Sequence, residues 1–328
     1  MKKVAAVGIA WVLILVCCFA VVAQAASASI LFEDGSDTGD MPADGSDVTA
    51  GEEEPAQVNT PTGASTPAGG GAQGEVEEPA ITWNHAVSLT SLTSPYALLV
   101  NREHLLDENF EPVDRIKMTV KRATSAAVYM ERKAALALED MFAAATEAGY
   151  TLFLKSGYRS YGTQKTTYEN RLAQNNGKDD GVVAYPGSSE HQTGLSCDIL
   201  NEDYAGRPRM TTDFSETAEA QWMKENCADF GFILRYPENA TEITKIIFEP
   251  WHFRYVGRDV AGYIMSRGFT MEEFWEDWQA ELKDFEERGG NVEEWMKYEA
   301  NRQLSGPKIR LIDEFDANGD QEISMRFS

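Results

Sequence analysis

The sequence predicts an α+β fold in which a small antiparallel sheet is flanked by helices. Short apolar runs with strand character alternate with helical stretches, and long loops separate them. Alternation alone would also suit a parallel sheet. The shortness of the strands and the length of the loops favour an antiparallel sheet with helices packed on it.

Three segments of the central region are predicted helices. Residues 126–148 are rich in Ala, Leu and Glu and end at Gly149, a residue typical of helix C-termini. Residues 164–174 are also predicted to form a helix. Residues 215–228 begin with a serine followed by acidic residues, which indicates a capped N-terminus.

Short apolar runs mark the predicted strands. Several are rich in β-branched or aromatic residues and are bounded by turn-forming residues. They are YALLV (96–100), TLFLK (151–155), LSCDIL (195–200), FGFILRY (230–236) and FEPWHFRYVG (248–257).

The chain after residue 268 has a different pattern. Phe274, Trp278, Leu282 and Phe285 recur at helical spacing, so we predict an amphipathic helix that packs on the domain or binds a partner. Asn291 three residues before Glu294 indicates a further helix start. Residues 269–328 are therefore predicted to form an acidic, helical extension.

The first 30 residues are predicted to be a signal peptide or an N-terminal membrane anchor. Two lysines precede the apolar run from Val4 to Ala23, which is about the ~20 residues that span a bilayer. Ala23 and Ala25 offer the small residues that a signal peptidase reads. Either outcome places the remainder outside the cytoplasm, secreted or anchored to the outer face of the membrane.

Residues 31–82 are predicted to be a disordered, acidic linker rich in Gly, Pro, Ser and Thr. Residues 31–80 contain twelve acidic side chains and no Lys or Arg, which accounts for half of the net charge of −24. A chain of this charge excludes nucleic acid or an anionic lipid surface as the main partner.

Two cysteines, Cys197 and Cys227, lie beyond the N-terminal segment. Outside the cytoplasm they could form a disulfide. The alternative is a pair of buried thiols, because the sequence does not show whether their Cα atoms approach each other.

His191, Asp198 and His252 form a candidate metal site. Two imidazoles and a carboxylate are ligands that zinc accepts, and a fourth position open to water is typical of catalytic zinc. Such a metal lowers the pKa of water from about 15.7 toward neutrality. Glu249, three residues before His252, is the candidate general base, and Pro250 prevents regular strand pairing there. His85 and His104 are not predicted to be ligands.

The stretch SSEHQTGLSCDI (188–199) resembles the S-x-H-x-x-G-x-x-x-D motif of VanY-type D-alanyl-D-alanine carboxypeptidases, part of the zinc-peptidase group that includes VanX-like dipeptidases and hedgehog N-terminal domains. Three further stretches resemble the same family in order along residues 95–268. They are LLVNREHLLDENFEPVD (98–114), KSGYRSYGTQ (155–164) and ENCADFGFILRYPENATEITKIIFEPWHFRYVG (225–257).

This resemblance implies a hedgehog/DD-peptidase-like fold and a zinc D,D-carboxypeptidase domain over residues 83–268. It implies Zn²⁺ on His191, Asp198 and His252, Glu249 as general base and Arg159 beside the scissile carbonyl. The residues that it implies for substrate binding are Ser189, Gln164, Tyr158 and Trp251.

The expected substrate is a peptidoglycan stem peptide that ends in D-Ala-D-Ala. The same scaffold could instead act as an L,D-carboxypeptidase, a dipeptidase or an endopeptidase, or as a non-catalytic wall-binding module that retains zinc. Glu249 argues against the last, since a binder needs no base. Ser196-Cys197 departs from the family's usual pair before the aspartate, and strand alternation should point Cys197 away from the metal.

The segment IDEFDANGDQEIS (312–324) resembles a calcium-binding loop, with Asp316, Asn318 and Asp320 at the first, third and fifth positions. The sixth position is Gln321 instead of glycine, and the twelfth is Phe327 instead of a carboxylate. The sharp turn and the bidentate ligand are therefore missing, and we do not predict calcium binding at 316–324.

Overall fold

The computed structural model describes residues 77–305, 309–315 and 321–327, with side chains described up to residue 302. Three parts of the sequence lie outside the described residues. They are the predicted leader (1–30), most of the predicted linker (31–82), and residues 316–320 of the segment that resembles a calcium-binding loop. Within the part that is described, no helix combines the length and the apolar character needed to cross a bilayer.

The helices of the described chain, in order, are α1 (Leu89–Leu92), α2 (Arg132–Glu147), α3 (Tyr161–Gln174), α4 (Glu202–Ala205), α5 (Ala218–Asn226), α6 (Thr241–Thr244), α7 (Arg258–Arg267), α8 (Met271–Glu287) and α9 (Val292–Ser305). Short 3₁₀ turns lie at Pro95–Ala97, Glu190–Thr193, Thr212–Glu216 and Cys227–Phe230.

The strands are β1 (Arg115–Lys117), β2 (Tyr129–Glu131), β3 (Leu152–Ser156), β4 (Ser196–Asn201), β5 (Phe232–Leu234), β6 (His252–Tyr255), β7 (Ile309–Phe315) and β8 (Gln321–Phe327). All pairings between them are antiparallel, in two ribbons, β1-β2 and β7-β8, and one four-stranded sheet of order β3-β4-β6-β5. The predicted α+β class with a small antiparallel sheet is confirmed.

The register of the central sheet aligns polar residues that are distant in sequence. Asp198 on β4 is the direct partner of His252 on β6, and Ser156 on β3 is the partner of Asp198 on its other side. Directly paired residues project to the same face of a sheet. A row of three polar side chains therefore crosses the sheet.

Two apolar clusters hold the fold together. The first lies between α2 and the central sheet and includes Leu138, Ile199 and Phe253. The second joins the segment around Trp83 to the helices after the sheet, and it buries the apolar face of α8. The four residues predicted to form that face, Phe274, Trp278, Leu282 and Phe285, are all buried here, so the amphipathic helix packs on its own domain.

Several predicted boundaries were wrong for local reasons. The predicted helix 126–148 begins only at Arg132, because residues 129–131 pair with β1 and Glu131 then caps the helix by accepting from the backbone N–H groups of Lys133 and Ala134. The helix predicted from 164 begins at Tyr161, since the Ser160 side chain caps it.

The other corrections concern 3₁₀ turns and strand starts. The predicted strand 96–100 is a 3₁₀ turn followed by unpaired chain, and the carbonyls of Tyr96 and Leu98 accept instead from the Arg254 guanidinium. The helix predicted over 215–228 is α5 with a 3₁₀ turn at each end, and Thr217 is its cap. The strand predicted over 248–257 is β6, which begins at His252, not at residue 248.

Cys197 and Cys227 are both free and buried in the first apolar cluster. No disulfide joins them, so of the two open alternatives the structure has the buried thiols. As strand alternation predicts, Cys197 belongs to the core face, opposite to Asp198, and burial raises the pKa of its thiol well above the usual range.

Gly157 connects β3 to the site described below, and the packing around it leaves no room for a side chain. A Cβ at this position would lie 2.6 Å from the Tyr129 carbonyl oxygen and 2.8 Å from Val128 Cγ1. We expect Gly157→Ala to lower the free energy of unfolding by about 1–3 kcal/mol, which urea denaturation would measure.

Gly162 provides the matched control for this substitution. It lies in the first turn of α3, and a Cβ there would meet nothing within 4 Å. Because alanine is the better helix former, Gly162→Ala should leave the stability unchanged or raise it by up to about 1 kcal/mol. Equal stability of the two variants would contradict the packing described for Gly157.

Candidate metal centre and active site

His191 lies in the 3₁₀ turn Glu190–Thr193, directly before β4. Its ring is fixed by the Nδ1 atom, which donates to the Gly157 carbonyl oxygen at 2.7 Å. This hydrogen bond leaves the lone pair on Nε2, which lies 3.5 Å from Asp198 Oδ2. Gly194 ends the turn with φ of 71°, a conformation that favours glycine.

Asp198 and His252 face each other across β4 and β6. Asp198 Oδ1 lies 3.1 Å from His252 Nδ1, and Oδ2 accepts a hydrogen bond from the Ser156 hydroxyl. The rings of His191 and His252 stand nearly perpendicular, with centroids 4.9 Å apart. The carboxylate therefore lies between two imidazoles.

These three side chains form a group that could hold a metal ion. All three are buried, and one ligand atom from each lies within 4.8 Å of the others. Two nitrogens and one oxygen are a donor set that zinc accepts, and three protein ligands leave a position for solvent or substrate. The donors present fit a zinc ion.

The electrostatics of the group favour a cation. Burial alone would raise the pKa of Asp198, but His191 and His252 hold it well below the usual range. Burial likewise opposes a charge on His252, yet Asp198, Glu190 and Glu249 raise its pKa to about 9. Burial and the nearby Arg159 lower the pKa of His191. The carboxylates around the two rings thus favour positive charge at this point, and a bound metal ion would take the place of the His252 proton.

Glu249 lies in a tight turn that brings its carboxylate next to the three candidate ligands. The His252 N–H donates to the Glu249 carbonyl oxygen at 3.1 Å, so residues 249–252 form a β-turn with Pro250 at its second position. This turn places Glu249 Oε2 3.6 Å from His252 Nδ1. Burial raises the pKa of Glu249 to about 8, so this carboxyl is a better proton acceptor than an exposed one.

The cluster lies in the wall of a cleft of about 780 Å³. Arg159, Ser189, Glu249 and Trp251 line this cleft together with the three candidate ligands. Trp251 is buried against the first apolar cluster, and the Ser189 side chain makes no capping bond to the turn that it precedes. Both residues therefore border the cleft.

Gln164 and Tyr158 do not line the cleft. Gln164 is fully buried behind Arg159. Its Oε1 accepts a hydrogen bond from Arg159 Nη1 at 2.7 Å, and its Nε2 donates to the Ala184 carbonyl oxygen at 2.6 Å. Tyr158 stacks under the Arg115 guanidinium, 4.1 Å from its ring centroid. The structure places Gln164 as the support of Arg159, and Tyr158 on another surface.

The other two histidines lie away from the cleft. His85 contacts Asp277 at 3.1 Å and packs on Tyr263. His104 lies in an exposed turn, with Nδ1 3.1 Å from the Asn101 side-chain oxygen.

Sequence reasoning missed a buried ionic network next to the candidate ligands. Glu190 precedes His191 and is bound by two fully buried arginines, Arg235 at 2.7 Å and Arg254 at 2.8 Å. Burial alone would raise the pKa of Glu190, but the two guanidinium groups outweigh it and hold the pKa well below the usual range. The one signal in the sequence was an arginine inside each of two apolar strand runs, FILRY and HFRYV.

Comparison with known proteins identifies the family. Residues 127–258 match the family model VanY, D-alanyl-D-alanine carboxypeptidase. The chain is 34% identical over 177 residues to the bifunctional D-Ala-D-Ala dipeptidase and D-Ala-D-Ala carboxypeptidase VanXYC of Enterococcus gallinarum, covering 54% of this chain and 91% of that protein. It is 41% identical over 182 residues to YodJ of Bacillus subtilis, covering 54% of this chain and 66% of YodJ.

A solved structure is also similar. The chain matches the LD-carboxypeptidase LdcB with a TM-score of 0.52 and 41% identity, over 54% of this chain and 84% of LdcB. The likeness agrees with the predicted peptidase fold. The chain belongs to the VanY family of D-alanyl-D-alanine carboxypeptidases, which are hydrolases.

Proposed function

We propose that this protein is an exported, zinc-dependent carboxypeptidase that removes the terminal D-Ala from peptidoglycan stem peptides ending in D-Ala-D-Ala. The observation that carries the proposal is the convergence of His191, Asp198 and His252 at one wall of the cleft, with Glu249 Oε2 3.6 Å from His252. Export rests on the N-terminal sequence alone.

The roles of the cleft residues follow from their chemistry. His191, Asp198 and His252 would hold the zinc ion, which when bound supplies a Lewis acid for the peptide carbonyl and for water. Glu249 takes a proton from the attacking water while the water oxygen bonds to the carbonyl carbon. When the C–N bond breaks, Glu249 returns that proton to the departing amine of D-alanine.

Arg159 would stabilise charge on the substrate. Its guanidinium lines the cleft and presents several N–H donors, so it can donate to the oxyanion that develops on the scissile carbonyl. Gln164 aims it through the 2.7 Å bond to Nη1. Ser189 and Trp251 would form the pocket for the last residue of the peptide.

A second candidate activity is cleavage of an L,D bond. It is favoured by the likeness to the LD-carboxypeptidase LdcB, at 41% identity. Synthetic stems separate the two activities, with products identified by mass. A D,D-carboxypeptidase shortens a pentapeptide ending in D-Ala-D-Ala by one residue, whereas an L,D-carboxypeptidase shortens the tetrapeptide with one terminal D-Ala. Hydrolysis of the tetrapeptide alone would contradict the D,D assignment.

Metal binding tests the ligand set. We expect the wild-type protein to bind one equivalent of zinc and to gain about 2.7 kcal/mol in stability at a free zinc concentration 100 times Kd. His191→Ala and His252→Ala should each abolish this gain, measured as the zinc-dependent shift of Tm. His104→Ala, which removes an exposed histidine outside the cleft, is the matched control. A zinc-dependent shift retained by both ligand variants would exclude this site.

Removal of the general base should separate binding from turnover. Glu249→Ala should keep one equivalent of zinc by elemental analysis, because Glu249 is not one of the three ligands. Its pentapeptide hydrolysis should fall by roughly 10²-fold or more, since the Glu249 carboxyl is the group proposed to carry the proton. Hydrolysis within a factor of three of wild type would contradict the assigned role.

The support of Arg159 predicts a kinetic effect from a residue outside the cleft. Gln164→Met removes the acceptor for Arg159, and a hydrogen bond to a charged group is worth about 1.5–3 kcal/mol. We expect kcat/KM to fall about tenfold or more with zinc content unchanged. Lys165→Met on the exposed side of the same helix is the control. Equal kcat/KM for the two variants would show that Arg159 needs no such support.

A further inference from the structure

One nitrogen of a candidate ligand lacks a partner. His252 turns Nδ1 toward Asp198 and Glu249, whereas its buried Nε2 makes no hydrogen bond within the described chain. An imidazole that binds a metal through one nitrogen carries its proton on the other and normally donates it to a carboxylate, a carbonyl or water. The acceptor that faces Nε2 is Glu190 Oε2, at 3.8 Å.

Glu190 is held in a fixed orientation. Its Oε1 accepts from Arg235 Nε at 2.7 Å and from Arg254 Nη1 at 2.8 Å, and its Oε2 accepts from the Ser196 hydroxyl at 3.1 Å. The Glu190 and guanidinium side chains are fully buried. Oε2 therefore keeps a lone pair directed toward His252.

The orientation of Arg235 depends in turn on α8. Its Nη1 and Nη2 donate to the two carboxylate oxygens of Glu272, at 2.8 and 2.7 Å, in a paired arrangement that fits a guanidinium. The second arginine, Arg254, is held by backbone carbonyls. Two arginines and two glutamates make the network neutral, so loss of one carboxylate would leave an uncompensated buried charge.

Glu272 lies outside the residues that match the family model, 127–258. We propose that Glu272 is a positioning residue for the metal site. Glu272 anchors Arg235, and Arg235 in turn holds Glu190. Glu190 accepts the Nε2 proton of His252, so that Nδ1 of this histidine presents its lone pair to zinc. A residue of α8, which belongs to the predicted C-terminal extension, then helps to position a ligand of the metal site. This inference rests on the proposed zinc function.

A purely structural anchor makes a different prediction. If Glu272 only fastened α8 to the sheet, its loss would lower Tm but leave the zinc affinity of the folded protein unchanged. The zinc dissociation constant is therefore the readout that separates the two roles, measured by competition with a chromophoric chelator together with Tm of the metal-free protein.

The test variant is Glu272→Gln, which keeps the shape of the side chain and removes its charge. We expect its zinc Kd to rise about tenfold or more, the range found when a partner of a metal-binding histidine is lost. Arg235→Lys should have a similar effect, because an ammonium cannot hold Glu190 and Glu272 together. Glu276→Gln makes the same charge change on an exposed position of α8 and should bind zinc as wild type does.

The possible outcomes are distinct. If the wild-type protein binds zinc and both Glu272→Gln and Arg235→Lys bind it equally well, the positioning role is overturned while the zinc function stands. If the wild-type protein binds no zinc, the proposed function fails first. Should Glu272→Gln not fold, Arg235→Lys decides alone, and an unchanged Kd in that variant overturns the proposal.

Discussion

The register between β4 and β6 is the constraint on which the rest of the site depends. Because Asp198 is paired directly with His252, their side chains project to one face at hydrogen-bonding distance, although 54 positions separate them in sequence. A shift of one residue would turn one of them into the apolar core, where Cys197 and Phe253 now lie. The core thus fixes the geometry of the polar row, since burial of the apolar neighbours selects the register.

Two further local structures bring the remaining groups to this row. The turn at 190–193 swings His191 toward Asp198 and is tied to β3 through the Gly157 carbonyl. The β-turn at 249–252 lets Glu249 and His252 reach the same cavity, which a regular strand would forbid. Next to this row, the buried Glu190 is paired with Arg235 and Arg254, because burial of an unpaired charge would be costly.

Much of the fold and of the site could be predicted from the sequence. The apolar runs of β3, β4 and β5 and the amphipathic face of α8 are patterned strongly enough to be recognised, and the ligand types at 191, 198 and 252 point to a metal by their chemistry. Boundaries were predicted less well, because caps such as Glu131 and Thr217 act through side-chain geometry. The network of Glu190, Arg235, Arg254 and Glu272 could not be predicted, since its ion pairs join residues that are 37 to 64 positions apart and become visible only when the chain is folded.

The most direct measurement is a crystal structure of the zinc-loaded protein, with the metal located by anomalous scattering at the zinc edge. We predict one ion bound by His191 Nε2, an oxygen of Asp198 and His252 Nδ1, with both nitrogens about 2.0–2.1 Å from zinc. We also expect His252 Nε2 within hydrogen-bonding distance of Glu190. An ion held elsewhere, or by His252 through Nε2, would contradict the proposed metal site.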